Sequence, residues 1–253
     1  MSKFVRIIIP IHEFNAEVES RLKDAIASVP KEEGVDFVVS CPKSIADEIA
    51  KVGAEVVSET ESSCFQDLVN QAVDEDYKYF SVLEFDDAIN TNWYSNVKKY
   101  DSIMGDGCSV MLTISDFIDD ATDRIVKIGN EIAWWNALSS EESDLGYISF
   151  DSLSSYGDYL LSGGVFLTKD FVKVGKLKRN IPCYFWLEYM LRATFNGQKI
   201  FVIPKVCYSH IINRKGSLSS KFAEIKENDL KEYKNLAKRE YLYTEDREII
   251  FEE

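Results

Sequence analysis

Three carboxylates lie within four positions at the end of an apolar segment. The segment YFSVL, residues 79–83, runs directly into Glu84, Asp86 and Asp87. Carboxylates this close together repel one another and resist ionisation unless a cation or a base holds them. A hard divalent cation such as Mg²⁺ or Mn²⁺ takes oxygen ligands and often bridges substrate phosphates. Acids also cap helices and form turns without any metal, and the spacing alone does not separate these two interpretations.

The segments that precede these acids alternate between two patterns of apolar residues. Nearly continuous apolar runs predict buried strands at residues 5–9, 35–40, 54–59 and 77–85. Apolar residues spaced three to four apart predict helices between them, at residues 16–29, 44–53 and 62–76. This alternation is typical of a parallel sheet with crossover helices. Ligands of such sheets bind beyond the carboxyl ends of the strands, so the three acids are expected at a binding edge.

The pattern changes after residue 90. Strands are expected at residues 108–115 and 198–211, a strand and a short helix within 159–175, and a helix at 184–197. Residues 123–138 fit either strand or helix, and the Ser-, Asp- and Gly-rich residues 139–158 predict a surface loop.

The charged residues 217–243 predict a helix outside the sheet. Its apolar stripe should dock on the domain or on a second copy of the chain; it consists of Leu218, Phe222, Ile225, Leu230, Tyr233 and Leu236. We therefore expect an α/β fold in which residues 1–216 form one domain, with a mostly parallel central sheet and flanking helices. Residues 217–253 should form a C-terminal helical extension, through which the chain could form a homo-oligomer.

Composition and residue counts disfavour several classes of function and of site. The 253 residues carry a formal charge of −14, which disfavours sequence-independent binding of a phosphate backbone but leaves room for a local basic patch. No apolar run approaches the roughly 20 residues that a membrane span needs, and the N-terminus has no signal-peptide pattern. The five cysteines have no short paired spacing, and the two histidines are too few for a His-rich metal cage. These features predict free thiols and a cytoplasmic protein.

Four segments, in the same order along the chain, resemble the family 2 glycosyltransferases, which have the GT-A fold. They are VRIIIPIHEFN at 5–15, FQDLVNQAVDEDYKYFSVLEFDDAI at 65–89, SGGVFLTKDFVKVGKL at 162–177 and FWLEYMLRATFNGQKIFVIPKV at 185–206. The resemblance covers about residues 3–218. Two positions depart from the family pattern: Glu84 stands where the first acid is usually Asp, and Leu187-Glu188 stands where the late helix usually carries Glu-Asp.

The resemblance implies a GT-A-like domain and a metal-dependent transfer of a sugar, with inversion, from a nucleotide-diphosphate sugar to an acceptor hydroxyl. It implies Mn²⁺ or Mg²⁺ as cofactor and Glu188 as general base, in a neighbourhood of aromatic residues. The implied metal ligands are Glu84, Asp86, Asp87 and His210. The implied donor contacts are Pro10, His12 and Glu13 after the first strand, Asn70 on a helix, and Arg214 and Lys215 on a late loop. The acceptor stays open among glycan, lipid, protein and modified nucleic-acid base.

Two other functions compete with this one. The single acid at Leu187-Glu188 favours a binding or scaffolding protein on a degenerate transferase fold. A nucleotidyltransferase is disfavoured because the acidic segment PIHEFNAE, rather than a Gly-rich basic loop, follows the first strand.

Overall fold

The structure, a computed structural model, describes residues 3–57, 61–135, 145–215, 217 and 227–247. Ten strands in these ranges form one sheet. They are β1 Val5–Pro10, β2 Val35–Ser40, β3 Val56–Val57, β4 Tyr79–Val82, β5 Ala88–Ile89, β6 Val110–Asp119, β7 Arg124–Gly129, β8 Tyr147–Ile148, β9 Val165–Leu167 and β10 Ile200–Ile212. The order across the sheet is β3-β2-β1-β4-β9-β6-β10-β5, with β7 beside β6 and β8 beside β10.

The sheet is mostly parallel, as the sequence predicts. Strands β1, β2, β3 and β4 pair in parallel, and β10 pairs in parallel with β6. Strand β9 is antiparallel to both β4 and β6, so these two groups point the same way. The short strands β5, β7 and β8 run antiparallel to their neighbours. The carboxyl ends of β1, β4, β6 and β10 therefore meet at one edge.

Helices cover both faces of this sheet. They are α1 Ala16–Ser28, α2 Lys43–Ala50, α3 Phe65–Ala72, α4 Trp93–Met104, α5 Phe150–Ser155, α6 Thr168–Lys173, α7 Phe185–Phe195 and α8 Glu227–Glu240. Strand β1 contributes to both hydrophobic cores, because Ile7 and Ile9 point to one face and Ile8 to the other. This explains why its sequence is continuously apolar rather than alternating. No helix in the described ranges is both long and apolar enough to span a bilayer.

One sequence expectation is wrong in part, and one alternative left open by the sequence is resolved. The surface loop predicted at 139–158 contains β8 and α5 in its described part, because Ser149 and Ser152 form a capping box that starts a helix within the serine-rich segment. Residues 139–144 of that loop lie outside the described residues. Residues 123–138 fitted strand or helix; in the described part they form β7 and then a short 3-10 helix, Glu131–Trp134.

The C-terminal helix lies outside the sheet and packs on the domain. Helix α8 ends at Glu240, three residues before the expected end at 243, and Leu218, Phe222 and Ile225 of the predicted stripe lie outside the described residues. Leu236 of the stripe is buried and packs with Ala237 against Ile181, close to α7. The described part of the stripe therefore packs on a surface of its own chain.

Candidate functional site

The candidate site lies where the corner between β4 and β5 meets the end of β10. Strand β5 pairs antiparallel with β10, so that Ala88 faces Ser209 and Ile89 faces Tyr208. This pairing brings Asp87, which directly precedes β5, against the last residues of β10. The acidic segment of the sequence thereby meets a histidine more than 120 positions away.

Asp87 is held on both of its carboxylate oxygens. Oδ2 accepts a hydrogen bond from the Tyr208 hydroxyl at 2.7 Å and lies 2.8 Å from His210 Nδ1. Oδ1 accepts from the backbone N–H of Ile211 at 2.8 Å. A carboxylate offers about four lone-pair sites, so these three bonds leave Asp87 one site for a further partner.

Glu84 lies beside Asp87 with a single side-chain donor. Ser162 Oγ donates to Glu84 Oε1 at 2.7 Å, and the backbone N–H of Glu84 donates to the Tyr208 hydroxyl oxygen at 3.2 Å. Burial, together with the Asp87 carboxylate, raises the pKa of Glu84 to about 7. Glu84 is therefore close to half-ionised at neutral pH when no cation is bound.

His210 carries a positive charge under the same conditions. Burial lowers its pKa, but the attraction of Asp87 outweighs this effect and raises the pKa to about 9. The imidazole and Asp87 thus form an ion pair near neutral pH. A metal ion bound by this histidine must displace a proton from it.

Glu84, Asp87 and His210 fit a divalent cation by position and chemistry. One ligand atom from each residue lies within 4.8 Å of those of the other two. Two carboxylates suit Mn²⁺ and Mg²⁺, and imidazole is a ligand that transition metals accept. Three of the four metal ligands expected from the sequence thus come together.

The fourth expected ligand, Asp86, is engaged by Arg214. Arg214 Nε donates to Asp86 Oδ2 at 2.6 Å, and its guanidinium lies 4.9 Å from the centre of the Phe85 ring. Burial and the neighbouring Asp87 raise the pKa of Asp86, although Arg214 acts in the opposite direction. Asp86 is outside the three-residue cluster, and in this arrangement its carboxylate pairs with Arg214.

A cavity of about 190 Å³ opens beside these groups. Its polar and charged lining includes Glu84, Asp86, His210 and Arg214, and Pro10 and His12 contribute from the end of β1. Its apolar lining includes Phe65, Leu160, Phe185 and Trp186. The Phe65 ring lies 5.2 Å from that of Phe185 and 6.2 Å from that of Trp186, between ring centres. The lining thus combines charged groups with a cluster of aromatic rings, the aromatic wall.

The remaining expected donor contacts lie outside this lining. Glu13 is exposed, and its Oε1 lies 3.8 Å from His12 Nε2. Lys215 is exposed too. Asn70 uses its amide to hold the backbone of Leu177, donating to the carbonyl at 2.8 Å and accepting from the N–H at 3.0 Å. Its position indicates a role in joining α3 to the segment before α7.

The geometry does not support Glu188 as a general base. The side chain has no exposed surface and does not line the cavity. Oε1 lies 3.0 Å from Lys178 Nζ and 2.9 Å from Arg192 Nε, and Oε2 accepts from Arg192 Nη2 at 2.9 Å. A carboxylate enclosed by two buried cations cannot reach an acceptor hydroxyl. The first turn of α7 presents Phe185 and Trp186 to the cavity instead.

Sequence reasoning missed Tyr208 and Ser162. Tyr208 lies two residues before His210 on β10, and alternate residues of a strand share a face. That spacing could have placed Tyr208 beside the acids. Ser162 begins the SGG turn of the sequence, but only the fold brings the turn to Glu84.

No family model and no curated protein matches this chain. Solved structures of TarS from S. aureus do match. TarS 1-349 in complex with UDP-GlcNAc has a TM-score of 0.60 and 14% identity, over 94% of this chain and 66% of that chain. TarS 1-349 in complex with UDP has a TM-score of 0.59 and 16% identity, over 94% of this chain and 65% of that chain. For the longer TarS structure the TM-score is 0.60 at 14% identity, and this chain covers only 39% of it. The likeness shows the fold: a mixed α/β domain with a central sheet flanked by helices, of the GT-A type expected from the sequence.

Proposed function

We propose that the cavity binds a nucleotide-diphosphate sugar and that the protein transfers the sugar to an acceptor. The observation that carries the proposal is the meeting of the carboxylate–histidine cluster with Arg214 at the carboxyl edge of the sheet. A cation held by carboxylates and a guanidinium are both groups that bind phosphate oxygens. The complexes of TarS with UDP-GlcNAc and UDP support the same class of ligand for this fold.

Both kinds of lining residue have a role in this proposal. Glu84, Asp87 and His210 would hold Mn²⁺ or Mg²⁺, which when bound neutralises negative charge on a leaving diphosphate. Arg214 would exchange Asp86 for the oxygens of the diphosphate, since a guanidinium binds either group through paired hydrogen bonds. Pro10 and His12 would contact the nucleoside at the end of β1.

The aromatic wall would receive the sugar or the acceptor. Phe65, Phe185 and Trp186 offer ring faces, which pack against the apolar face of a sugar. Inverting transfer to a hydroxyl calls for a base at that hydroxyl. Among the described residues, α7 contributes aromatic side chains to the wall and no carboxylate. This observation favours a second candidate function, which is binding of a nucleotide sugar without transfer.

Thermal shift tests the binding step. The melting temperature would be measured with UDP-GlcNAc, UDP-glucose, GDP-mannose and ADP-glucose, each with and without Mn²⁺. A ligand at one hundred times its Kd stabilises by about 2.7 kcal/mol, which corresponds to about 5–10 °C for a chain of this size. We expect Mn²⁺-dependent stabilisation by one class of nucleotide, lost in Asp87→Asn and kept in the control Asp24→Asn, whose side chain is exposed on α1. Absence of any shift with all four donors would contradict the proposal.

Release of nucleoside diphosphate separates transfer from binding. A transferase should hydrolyse its donor slowly in the presence of Mn²⁺ even without an acceptor, and Asp87→Asn should abolish this release. Stabilisation by a nucleotide sugar without release, over many hours and with a range of acceptors, would support the binding function instead.

A further inference from the structure

Tyr208 connects the two carboxylate residues of the candidate metal cluster. Its side chain is completely buried. Its hydroxyl donates to Asp87 Oδ2 at 2.7 Å and accepts from the backbone N–H of Glu84 at 3.2 Å. A single oxygen atom therefore touches both residues, one through its side chain and the other through its main chain.

Gly163 leaves the space that the ring of Tyr208 occupies. Gly163 has a positive φ of 77°, and a Cβ atom there would lie 2.3 Å from the Tyr208 ring. The backbone of Gly163 is itself fixed, because its N–H donates to the Val82 carbonyl at 2.8 Å and its carbonyl accepts from Trp93 Nε1 at 2.6 Å. The ring consequently has little freedom to turn, and the direction of its hydroxyl is set by the fold.

The bond from Tyr208 also determines which part of Asp87 is open. Oδ2 carries the hydroxyl and the imidazole, while Oδ1 carries the Ile211 N–H. Without the hydroxyl the carboxylate would keep only the bonds to His210 and to the Ile211 N–H, and its χ2 angle, which is a broad torsion, would be less tightly held. With it, the one unused site of Asp87 keeps a fixed direction.

We infer that Tyr208 is a positioning residue that orients Asp87 and the backbone at Glu84 for binding of a divalent cation. The inference rests on the proposed function, in which these acids and His210 hold the cation. Partners that orient a metal ligand in this way typically account for 10–100-fold of metal affinity. A purely structural hydroxyl would instead stabilise the corner between β4 and β5 and leave metal affinity unchanged.

The test uses Mn²⁺ alone and the single variant Tyr208→Phe. Free Mn²⁺ is measured by electron paramagnetic resonance during a titration, which gives the Kd without any substrate. Tyr189→Phe is the matched control, because Tyr189 is also completely buried and its hydroxyl has no hydrogen-bond partner among the described residues. The melting temperature of each protein without metal reports the fold.

We expect Tyr208→Phe to bind Mn²⁺ about 10–100-fold more weakly while melting within a few degrees of the unmodified chain, and Tyr189→Phe to bind as the unmodified chain does. A Kd for Tyr208→Phe within twofold of the unmodified value would overturn the inference. The inference would also be overturned if metal-free Tyr208→Phe were unfolded at the assay temperature, because the hydroxyl would then be needed for the fold. If the unmodified chain binds no Mn²⁺, both the proposed cation site and this inference are wrong. Nucleotide-sugar binding is measured separately, by the thermal shift without metal.

Discussion

Replacing Glu188 by glutamine should destabilise the protein severely. The carboxylate lies between Lys178 and Arg192, and all three side chains are almost completely buried. Glu188→Gln keeps the size of the side chain but removes its charge, so two buried cations are left facing an amide. A hydroxyl-activating base would behave differently, because its loss reduces turnover and spares the fold.

The magnitude follows from the contacts. Removing one partner of a buried ion pair costs about 3–5 kcal/mol. At about 2–4 °C per kcal/mol for a chain of this size, the melting temperature should fall by about 6–20 °C. Burial lowers the pKa of Lys178 and Glu188 opposes this effect, so without Glu188 the lysine can lose its charge more easily. Arg192 cannot lose its charge in this way, so the destabilisation should persist at high pH.

Urea unfolding followed by circular dichroism measures the free energy, with Glu19→Gln as the matched control. Glu19 also pairs with a cation four residues later on a helix, at 2.6 Å from Lys23 Nζ, but both side chains are largely exposed. Such exposed pairs contribute about 0.3–0.5 kcal/mol, so the control should unfold nearly as the unmodified chain does.

Stability within about 1 kcal/mol of the control would refute the reasoning about the buried ion cluster. If the stable variant also bound nucleotide sugar normally but released no nucleoside diphosphate, the result would support Glu188 as the general base. Helix α7 would then have to move during catalysis.

Four shorter predictions concern pH and two glycines. The folded-state pKa of His210 is raised to about 9, so its ion pair with Asp87 stabilises the metal-free protein fully below about pH 6.5. This stabilisation is lost as the pH rises through about 9. The melting temperature should therefore fall between these pH values, and it should fall less steeply in His210→Gln. Between about pH 7, above which Glu84 is mostly ionised, and about pH 9, Mn²⁺ affinity should rise by up to about tenfold per pH unit because the cation displaces the proton of His210; a flat profile in the titration would contradict this. Gly163→Ala should displace the Tyr208 ring and weaken Mn²⁺ binding, since its Cβ would lie 2.3 Å from that ring. Gly175→Ala should lower the melting temperature and expose residues 241–247 to proteolysis, because its Cβ would lie 2.0 Å from the Thr244 carbonyl oxygen; an unchanged digestion pattern would count against that docking.

The parts of the fold that local sequence dictates were predictable. Strand β1 and helix α1 appear where the apolar runs predict them, and Asn15 caps the helix by accepting from the N–H groups of Glu17 and Val18 at 2.9 and 3.0 Å. The acidic end of β4 was predictable for the same reason, since a strand that stops at the sheet edge leaves its next residues exposed to a ligand.

The rest of the site depends on pairings between distant segments. His210 reaches Asp87 only because β5 reverses direction and pairs with β10. Glu188 looked like a helix acid near aromatic rings, and the sequence carries no signal that Lys178, on a separate segment, would fold over it. Burial of a charged side chain is decided by such long-range packing, which periodicity within one helix does not contain.

Lys178 and its neighbours form hydrogen bonds to residues that the ribosome adds after the last strand of the sheet. Its ammonium group donates to the carbonyl of Glu240 at 2.5 Å, and the neighbouring N–H groups of Arg179 and Asn180 donate to the Asp246 carboxylate at 2.8 and 3.2 Å. A nascent chain that has just completed β10 holds the whole sheet yet lacks all three acceptors. At about 5–20 residues per second, the ribosome needs roughly 2–7 s to supply residues 213–247. During this interval the donor groups of residues 178–180 lack these acceptors and must be hydrated instead.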